Sequence, residues 1–219
     1  MDKVLERLSD FGVVPVVVLN RSENAAALAD ALCEAGLACA EVTFRTEAAG
    51  ESIRAMKAAH PKMLIGAGTV LTTAQVDMAI SCGAEFIVAP GFDPEVVDYC
   101  LEKKITVVPG CVTPSEVAQG VNRGLEVLKF FPAEQAGGLP MIKAMAAPYT
   151  NVKFMPTGGI NENNLADYLE CSKIVCCGGS WFVKSDLIEN GSFDKIKEKA
   201  RKAVNIVRSV RLEKAGKVG

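Results

Sequence analysis

The sequence has few of the residue patterns that hold metals. It contains one histidine, His60, among 219 residues, and its eight cysteines form no Cys-x-x-Cys pair. Most cysteines fall inside apolar segments, which indicates buried free thiols in a cytosolic protein rather than disulfides or a zinc site. His60 precedes Pro61 at a predicted helix end, where a lone histidine is most often a surface residue. These residues therefore give little indication of a metal site.

Long apolar runs and an excess of charge of either sign are also absent. The longest runs, such as residues 13–19, are far shorter than the ~20 residues of a membrane-spanning helix. The first residues alternate in charge without the apolar stretch of a secretory signal, so we expect a cytoplasmic protein. With a formal net charge of -2, neither a nucleic acid nor an anionic membrane is an expected partner. An anionic ligand would need a local site.

Short β-rich apolar runs alternate with amphipathic helical stretches along the chain. Eight such units predict an α/β fold, a single-domain (β/α)8 TIM barrel over residues 1–210, with an open doubly wound sheet as the alternative. No Gly-x-Gly-x-x-Gly follows the first strand, which weakens a dinucleotide-binding version of that alternative. Residues 1–11 predict a helix packing on the bottom of the barrel, and residues 211–219 a frayed tail. The predicted strands are 13–19, 38–44, 63–68, 84–89, 105–109, 125–130, 152–156 and 173–177, and the predicted helices include 24–35, 74–82, 94–103 and 162–169.

Lys129 lies in the apolar run of residues 125–132, where a strand should bury its side chains. An ammonium group there is costly to desolvate, so a buried lysine is normally paired, functional or able to lose its proton. A lysine that loses its proton becomes an amine nucleophile. The alternative is a strand-end lysine whose charged head reaches solvent.

Further polar residues follow strand ends, where enzymes with this barrel carry their chemistry. Period-two alternation places Glu41 and Arg45 on one face of the second strand, pointing into the barrel mouth. The two residues could equally form an ion pair at the rim. Thr69 follows the third strand and could be a helix N-cap. The Thr-Pro-Ser-Glu pattern that begins at Thr113 favours an N-cap there.

The last two predicted strands lead into paired glycines. Gly158 and Gly159 follow the seventh strand, and Gly178 and Gly179 with Ser180 follow the eighth. Loops after strands seven and eight are the usual phosphate site of this architecture, because they expose backbone N–H groups. Gly-Gly is also ordinary turn chemistry, but two such pairs on adjacent strands favour a phosphate ligand. A lysine nucleophile, an acid, an arginine and a phosphate site together suit a phosphorylated keto acid.

Five motifs, in order through nearly the whole chain, resemble those of the 2-keto-3-deoxy-6-phosphogluconate (KDPG) aldolases, a family that includes enzymes acting on 4-hydroxy-2-oxoglutarate (KHG). The resemblance implies a class I aldolase, a metal-free lyase without cofactor, on a (β/α)8 barrel that is usually a homotrimer. It also implies cleavage of KDPG, the Entner–Doudoroff intermediate, to pyruvate and glyceraldehyde 3-phosphate. The preference among KDPG, its galacto epimer and KHG stays open. The motifs are EVTFRT at 41–46, GAGTVL at 66–71, KFFPAE at 129–134, PTGGI at 156–160 and GGSW at 178–181.

The resemblance implies a role for individual residues. Lys129 matches the Schiff-base lysine and Glu41 the general acid/base, whereas Phe44 and Cys111 depart from the family pattern. A phosphosugar isomerase or epimerase on the same barrel, and a non-catalytic phosphosugar sensor, are the alternatives. Arg45 and Thr69 match residues that bind the pyruvate carboxylate, Pro90, Phe131 and Thr157 match substrate contacts, and Gly158, Gly159, Gly179 and Ser180 match the phosphate-binding loops.

Overall fold

A barrel of parallel strands surrounded by helices forms the body of the protein. The computed structural model describes residues 2–216. Most strand residues are apolar and buried on both faces, as expected for a parallel sheet that helices cover. The strands are β1 (Val13–Val17), β2 (Cys39–Thr43), β3 (Leu64–Gly68), β4 (Phe86–Val88), β5 (Thr106–Val108), β6 (Val127–Phe130), β7 (Lys153–Pro156) and β8 (Cys177–Gly179).

The strands close into a ring in sequence order. Six of those described form one sheet in the order β5-β4-β3-β2-β1-β8, and β6 pairs with β7. Single bridges join the two sheets, from Gly110 to Lys129 beside β5 and from Thr157 to Gly178 beside β8. The (β/α)8 barrel predicted from the sequence is therefore confirmed. Since all the strands are parallel, their carboxyl ends meet at one mouth.

Helices alternate with the strands and cover the outside of the barrel. The first helix lies at the opposite end from the mouth, as predicted, because Arg7 donates to the Lys62 carbonyl oxygen and pairs with Glu85, two residues that precede strands. The helices are α1 (Lys3–Phe11), α2 (Ala25–Glu34), α3 (Ala49–Ala59), α4 (Thr73–Cys82), α5 (Pro94–Glu102), α6 (Pro114–Asn122), α7 (Gly138–Ala146), α8 (Leu165–Glu170), α9 (Ser185–Glu189) and α10 (Phe193–Gly216), with a 3-10 turn at Ser22–Asn24.

The eighth strand begins later than the sequence predicts. Ile174 makes only an isolated bridge to Phe154, after which the chain turns before β8 starts. Gly178 and Gly179, expected in a loop, therefore belong to the strand and pair with β1. Glycine is weak in strands by propensity, so the pairing is decided by tertiary contacts.

The C-terminal boundary also differs from the sequence prediction. Residues 211–216, expected as a frayed tail, continue α10. Two basic side chains hold this turn, because Arg211 donates to the Ser9 carbonyl oxygen and Lys214 donates to that of Leu169, the latter at 2.6 Å. Residues 217–219 lie outside the described residues.

Among the described helices, none combines the length and apolar character needed to cross a bilayer.

Candidate active site

The end of β2 places a carboxylate inside the barrel and an arginine at its mouth. Glu41 is completely buried, whereas Arg45, two residues past the end of β2, lines an open cavity. Thr43 lies between them in the alternation, and its hydroxyl donates to the Val17 carbonyl oxygen on β1 at 3.0 Å. The polar face predicted for this strand thus extends from the barrel interior towards the mouth.

β6 brings a lysine against that carboxylate. Lys129 is 4% exposed, and its Nζ lies 3.4 Å from Oε1 of Glu41. The backbone of Lys129 is fixed by its N–H donating to the Pro109 carbonyl oxygen (2.9 Å) and its carbonyl accepting from the Cys111 N–H (2.8 Å). The lysine head therefore does not reach solvent. Within residues 2–216, the ion pair of Glu41 is with Lys129 and not with Arg45.

A glycine on β3 leaves the space that Glu41 occupies. A Cβ atom at Gly68 would lie 2.2 Å from Oε1 of Glu41 and 2.6 Å from its Cγ. The second carboxylate oxygen, Oε2, is buried without a hydrogen-bond partner in the described part of the chain. An unpaired buried oxygen is unfavourable for folding. Because it has no partner among the described residues, Oε2 can accept a proton from Lys129 or a hydrogen bond from a substrate hydroxyl.

Phe131 connects the buried lysine with the open side of the barrel. Nζ of Lys129 lies 5.2 Å from the centre of the Phe131 ring, close enough for a cation–π attraction. The same ring lines a cavity of about 500 Å³ at the mouth, together with Thr157, which follows β7. The Thr157 hydroxyl is buried and unpaired among the described residues. Gly178 makes room for it, because a Cβ there would lie 2.3 Å from Oγ1.

Most of the binding residues predicted from the sequence line this mouth cavity. None of its lining residues is acidic, and two are cations, Arg45 and Lys184, a charge distribution that favours an anionic ligand. Lys129 and Glu41 lie deeper and do not line the cavity wall. The predicted residues that line it are Arg45, Phe131, Thr157, Gly158, Gly159, Gly179 and Ser180.

In the glycine loop after β7, the carbonyl groups of Gly158 and Gly159 accept hydrogen bonds from within the protein. Gly158 and Gly159 have φ values of 101° and 80°, where glycine is favoured. The Gly158 carbonyl accepts from the Glu134 N–H at 3.1 Å, and the Gly159 carbonyl accepts from the side-chain amides of Asn161 and Asn164 at 3.0 and 3.2 Å. In a trans peptide the N–H points opposite to the carbonyl. The N–H groups of Gly159 and Ile160, which follow these two carbonyls, therefore point away from these partners. No acceptor for either N–H is found within residues 2–216.

Three predicted positions lie at strand ends outside the lining of the mouth cavity. Thr69 follows β3 with a φ of 54°, a left-handed conformation uncommon for threonine. Pro90 follows β4 so close to Gly110 that a Cβ there would lie 2.1 Å from the proline oxygen. Thr113 forms a capping box with Glu116 at the start of α6, which confirms the N-cap prediction.

The other candidate nucleophiles and metal ligands do not line the mouth cavity. All eight cysteines are free thiols, and burial raises the pKa of Cys111 to about 12, with a smaller contribution from the Glu116 carboxylate. That thiol is therefore protonated at neutral pH. His60 contacts Asp30 at 2.7 Å at the end of α3. No cluster of three or more potential metal ligands occurs in the described part of the chain.

The chain matches a known family over most of its length. The family model described as "KDPG and KHG aldolase" covers residues 4–199. The chain belongs to the KDPG and KHG aldolase family. The 2-dehydro-3-deoxy-phosphogluconate aldolase of Haemophilus influenzae is 43% identical over 206 residues, which are 94% of this chain and 97% of that one. The KHG/KDPG aldolase of Escherichia coli K12 is 42% identical over 192 residues, 88% of this chain and 90% of that one.

The barrel is also similar to a solved member of the KDPG and KHG aldolase family. The KDPG aldolase of Legionella pneumophila superposes with a TM-score of 0.89 at 37% identity, covering 92% of this chain and 98% of that one. In that crystal structure, pyruvate was captured at low pH as a covalent carbinolamine intermediate. A carbinolamine is the adduct of an amine with a carbonyl group, the first product expected of a lysine nucleophile.

Two features of this aldolase-family site receive no role from the motifs: Lys184, which lies outside them, and the space at Gly68, a glycine inside the motif at 66–71. Lys184 comes five residues after β8, and a basic residue close behind a predicted strand end is the signal that could have identified it. The space at Gly68 has no such signal. It depends on the pairing of β2 with β3, in which Thr43 lies opposite Gly68 and Glu41 opposite Gly66.

Proposed function

We propose that this protein is a class I aldolase that cleaves KDPG to pyruvate and glyceraldehyde 3-phosphate through a Schiff base on Lys129. The observation that carries the proposal is the buried contact of 3.4 Å between Nζ of Lys129 and Glu41. Burying two charges is unfavourable for folding unless they gain strong interactions, and here one carboxylate oxygen stays unpaired. An isomerase or a sensor on this barrel would need the phosphate loops but would give no reason for the lysine. The carbinolamine in the Legionella enzyme supports the same route.

The first half of the reaction makes the covalent intermediate. Glu41 takes one proton from the Lys129 ammonium, and the resulting amine attacks C2 of the keto acid to give a carbinolamine. Glu41 then returns its proton to the C2 hydroxyl, which leaves as water, and a protonated imine remains. The positive imine nitrogen can accept the electron pair of a neighbouring carbon–carbon bond.

The second half cleaves the chain of the substrate. Glu41 removes the proton of the C4 hydroxyl, the C3–C4 bond breaks, and glyceraldehyde 3-phosphate leaves while the electron pair passes to the imine as an enamine. Protonated Glu41 then donates to C3, and water hydrolyses the imine to release pyruvate and Lys129. One carboxylate in contact with Nζ can serve each of these steps because its oxygen Oε2 is free of protein partners in the described residues.

We assign the binding roles from the cavity lining and, for Thr69 and Pro90, from the family motifs. Arg45 lines the cavity and offers a bidentate donor for the pyruvate carboxylate, with Thr69 as its second partner. We assign the Thr157 hydroxyl to the substrate hydroxyls, and Phe131 and Pro90 to the apolar walls. The phosphate group is assigned to the glycine loops, that is, to the N–H groups around Gly158, Gly159, Gly179 and Ser180.

The wider properties of the family are proposed for this chain as well. KHG is a second substrate, as the name of the Escherichia coli relative indicates for that enzyme. We place the enzyme in the cytoplasm, without a cofactor and with small molecules as its partners. We also propose a homotrimer. Leu71, just before α4, and Met78, on α4, are 54% and 52% exposed, and contact with a second copy would cover such apolar side chains.

Borohydride trapping tests the proposed chemistry. The protein is incubated with pyruvate and sodium borohydride, and its peptides are analysed by mass spectrometry. We expect a reduced pyruvate adduct on Lys129 and none in a Lys129→Arg variant, because guanidinium does not form the imine. The exposed Lys195 is an internal control within the same sample. Absence of an adduct on Lys129, or equal labelling of Lys195, would contradict the assignment.

A further inference from the structure

One cation at the mouth takes no part in the reaction steps above. Lys184 lies between β8 and α9 and lines the cavity beside Gly158, Gly159, Gly179 and Ser180. These neighbours offer backbone N–H groups and one hydroxyl but no formal charge. Lys184 is therefore the charged side chain on the glycine-rich side of the cavity.

The backbone of Lys184 is held in place while its side chain is free. Its carbonyl accepts from the N–H groups of Leu187 and Ile188 at 3.1 and 3.2 Å, and the preceding Val183 is 2% exposed. Within residues 2–216, no ion pair involves Lys184. Glu189, on the short helix α9 that follows Lys184, pairs instead with Arg21 at 3.0 Å. The ammonium group is thus available to a ligand.

The second cation of the cavity comes from a different part of the ring. Arg45 follows β2, and β1 lies between β2 and β8 in the sheet. A substrate whose carboxylate is bound by Arg45 can extend its other end towards the loops after β7 and β8. At neutral pH a phosphate monoester at that end carries about two negative charges. Backbone N–H groups and the Lys184 ammonium together can stabilise this charge.

We infer that Lys184 is a specificity-determining residue that binds the phosphate group of a phosphorylated 2-keto acid and favours it over unphosphorylated analogues, an inference that rests on the proposed function. Removal of its charge weakens binding of the phosphate dianion more than it slows turnover, because Lys184 follows β8, with β1 between it and the β2 end that carries Arg45, and takes no part in the reaction steps. The distal carboxylate of KHG carries one charge on a shorter chain. The preference for KDPG over KHG therefore falls when Lys184 is neutralised.

Binding of inorganic phosphate to the intact protein gives the direct test. Isothermal titration calorimetry is run on wild type, Lys184→Gln, Lys184→Arg and a matched control, Lys195→Gln, which removes an exposed lysine on α10 outside the cavity. A charge-assisted contact at a solvent-accessible site predicts about a five- to tenfold higher Kd in Lys184→Gln. Lys184→Arg keeps the charge and stays within about twofold of wild type, as does Lys195→Gln.

Steady-state kinetics then connect phosphate binding to specificity. In Lys184→Gln, KM for KDPG rises by about the same five- to tenfold factor while kcat changes little, and the kcat/KM ratio of KDPG to KHG falls. An unchanged phosphate Kd in Lys184→Gln, or an equal loss in Lys195→Gln, would overturn the inference. A wild-type protein that binds phosphate through Lys184 but cleaves neither substrate would refute the proposed function and leave the assignment of Lys184 intact.

Discussion

Replacing Gly68 with alanine would place a methyl group where the Glu41 carboxylate lies. The added Cβ would be 2.2 Å from Oε1, 2.6 Å from Cγ and 2.8 Å from Cδ of Glu41, whereas ordinary contact begins at 3.4 Å. The oxygen must therefore move by about 1.2 Å, the difference between 3.4 and 2.2 Å. The φ of Gly68 lies outside the left-handed region, so alanine strains no backbone angle and the effect comes from this displacement.

The expected loss is mainly one of rate. Misplacing a catalytic group by about 1 Å can lower turnover about 10²-fold, so kcat for KDPG cleavage should fall by that order. Overpacking should also lower the free energy of unfolding by about 1–3 kcal/mol, which leaves a folded protein at 25 °C. Coupled cleavage assays, thermal unfolding and exchange of the pyruvate methyl protons are measured on the same preparations.

Two reference variants make this result interpretable. Gly91→Ala introduces the same methyl group after β4, where no atom lies within 4 Å of the added Cβ, and it should keep wild-type turnover. Glu41→Gln removes the proton acceptor without adding bulk, and Gly68→Ala should resemble it in slow methyl proton exchange. A folded Gly68→Ala variant with wild-type kcat would refute the positioning argument. Equal losses in Gly91→Ala would indicate general damage to the mouth.

Three further outcomes follow from the contacts described above. Lys129→Arg should fold normally and lose about 10⁴-fold or more in turnover, measured by the coupled cleavage assay, because no imine can form. Burial alone would raise the pKa of Glu116, but hydrogen bonds from two backbone N–H groups and the Thr113 hydroxyl lower it overall. These hydrogen bonds therefore stabilise the fold at pH values above the pKa of Glu116 in the unfolded chain, and the stabilisation is lost as pH falls through its pKa in the folded protein. The difference in free energy of unfolding between wild type and Glu116→Gln, measured by urea titration, should therefore shrink below about pH 5. Light scattering after size exclusion should give three times the mass of one chain. A double Leu71→Asp, Met78→Asp variant should give the monomer mass, because buried carboxylates at a subunit contact would disfavour assembly.

The parts of the fold and site that follow local rules were accessible from the sequence. Buried strands are rich in Val, Ile and Leu, so the seven strands before β8 lie within their predicted ranges. Lys129 stood out because a charge inside such a run needs a partner, and the structure supplies Glu41. The Thr113 cap was predicted because its motif is contiguous. Each of these predictions depends on residues close together in the chain.

Features that depend on packing between distant segments could not be predicted from the sequence. β8 has two glycines among its three residues, so neither propensity nor alternation locates it, and pairing with Val14 and Pro15 decides its position. The space at Gly68 exists only once β2 lies beside β3. The carboxyl-terminal turn of α10 has a terminal sequence that predicts a frayed tail, yet Lys214 anchors it to a carbonyl group on another helix.

The buried lysine and glutamate also have a consequence for engineering heat resistance. Replacing a buried ion pair with well-packed apolar residues is often neutral, or stabilising by about 1–4 kcal/mol. Leucine or methionine at positions 129 and 41 would remove the pair, including the carboxylate oxygen that lacks a partner in the described residues. A selection for thermal tolerance that does not require turnover would therefore tend to discard these two side chains early. Stabilised versions of this barrel should be sought with activity in the screen, or with both positions held fixed.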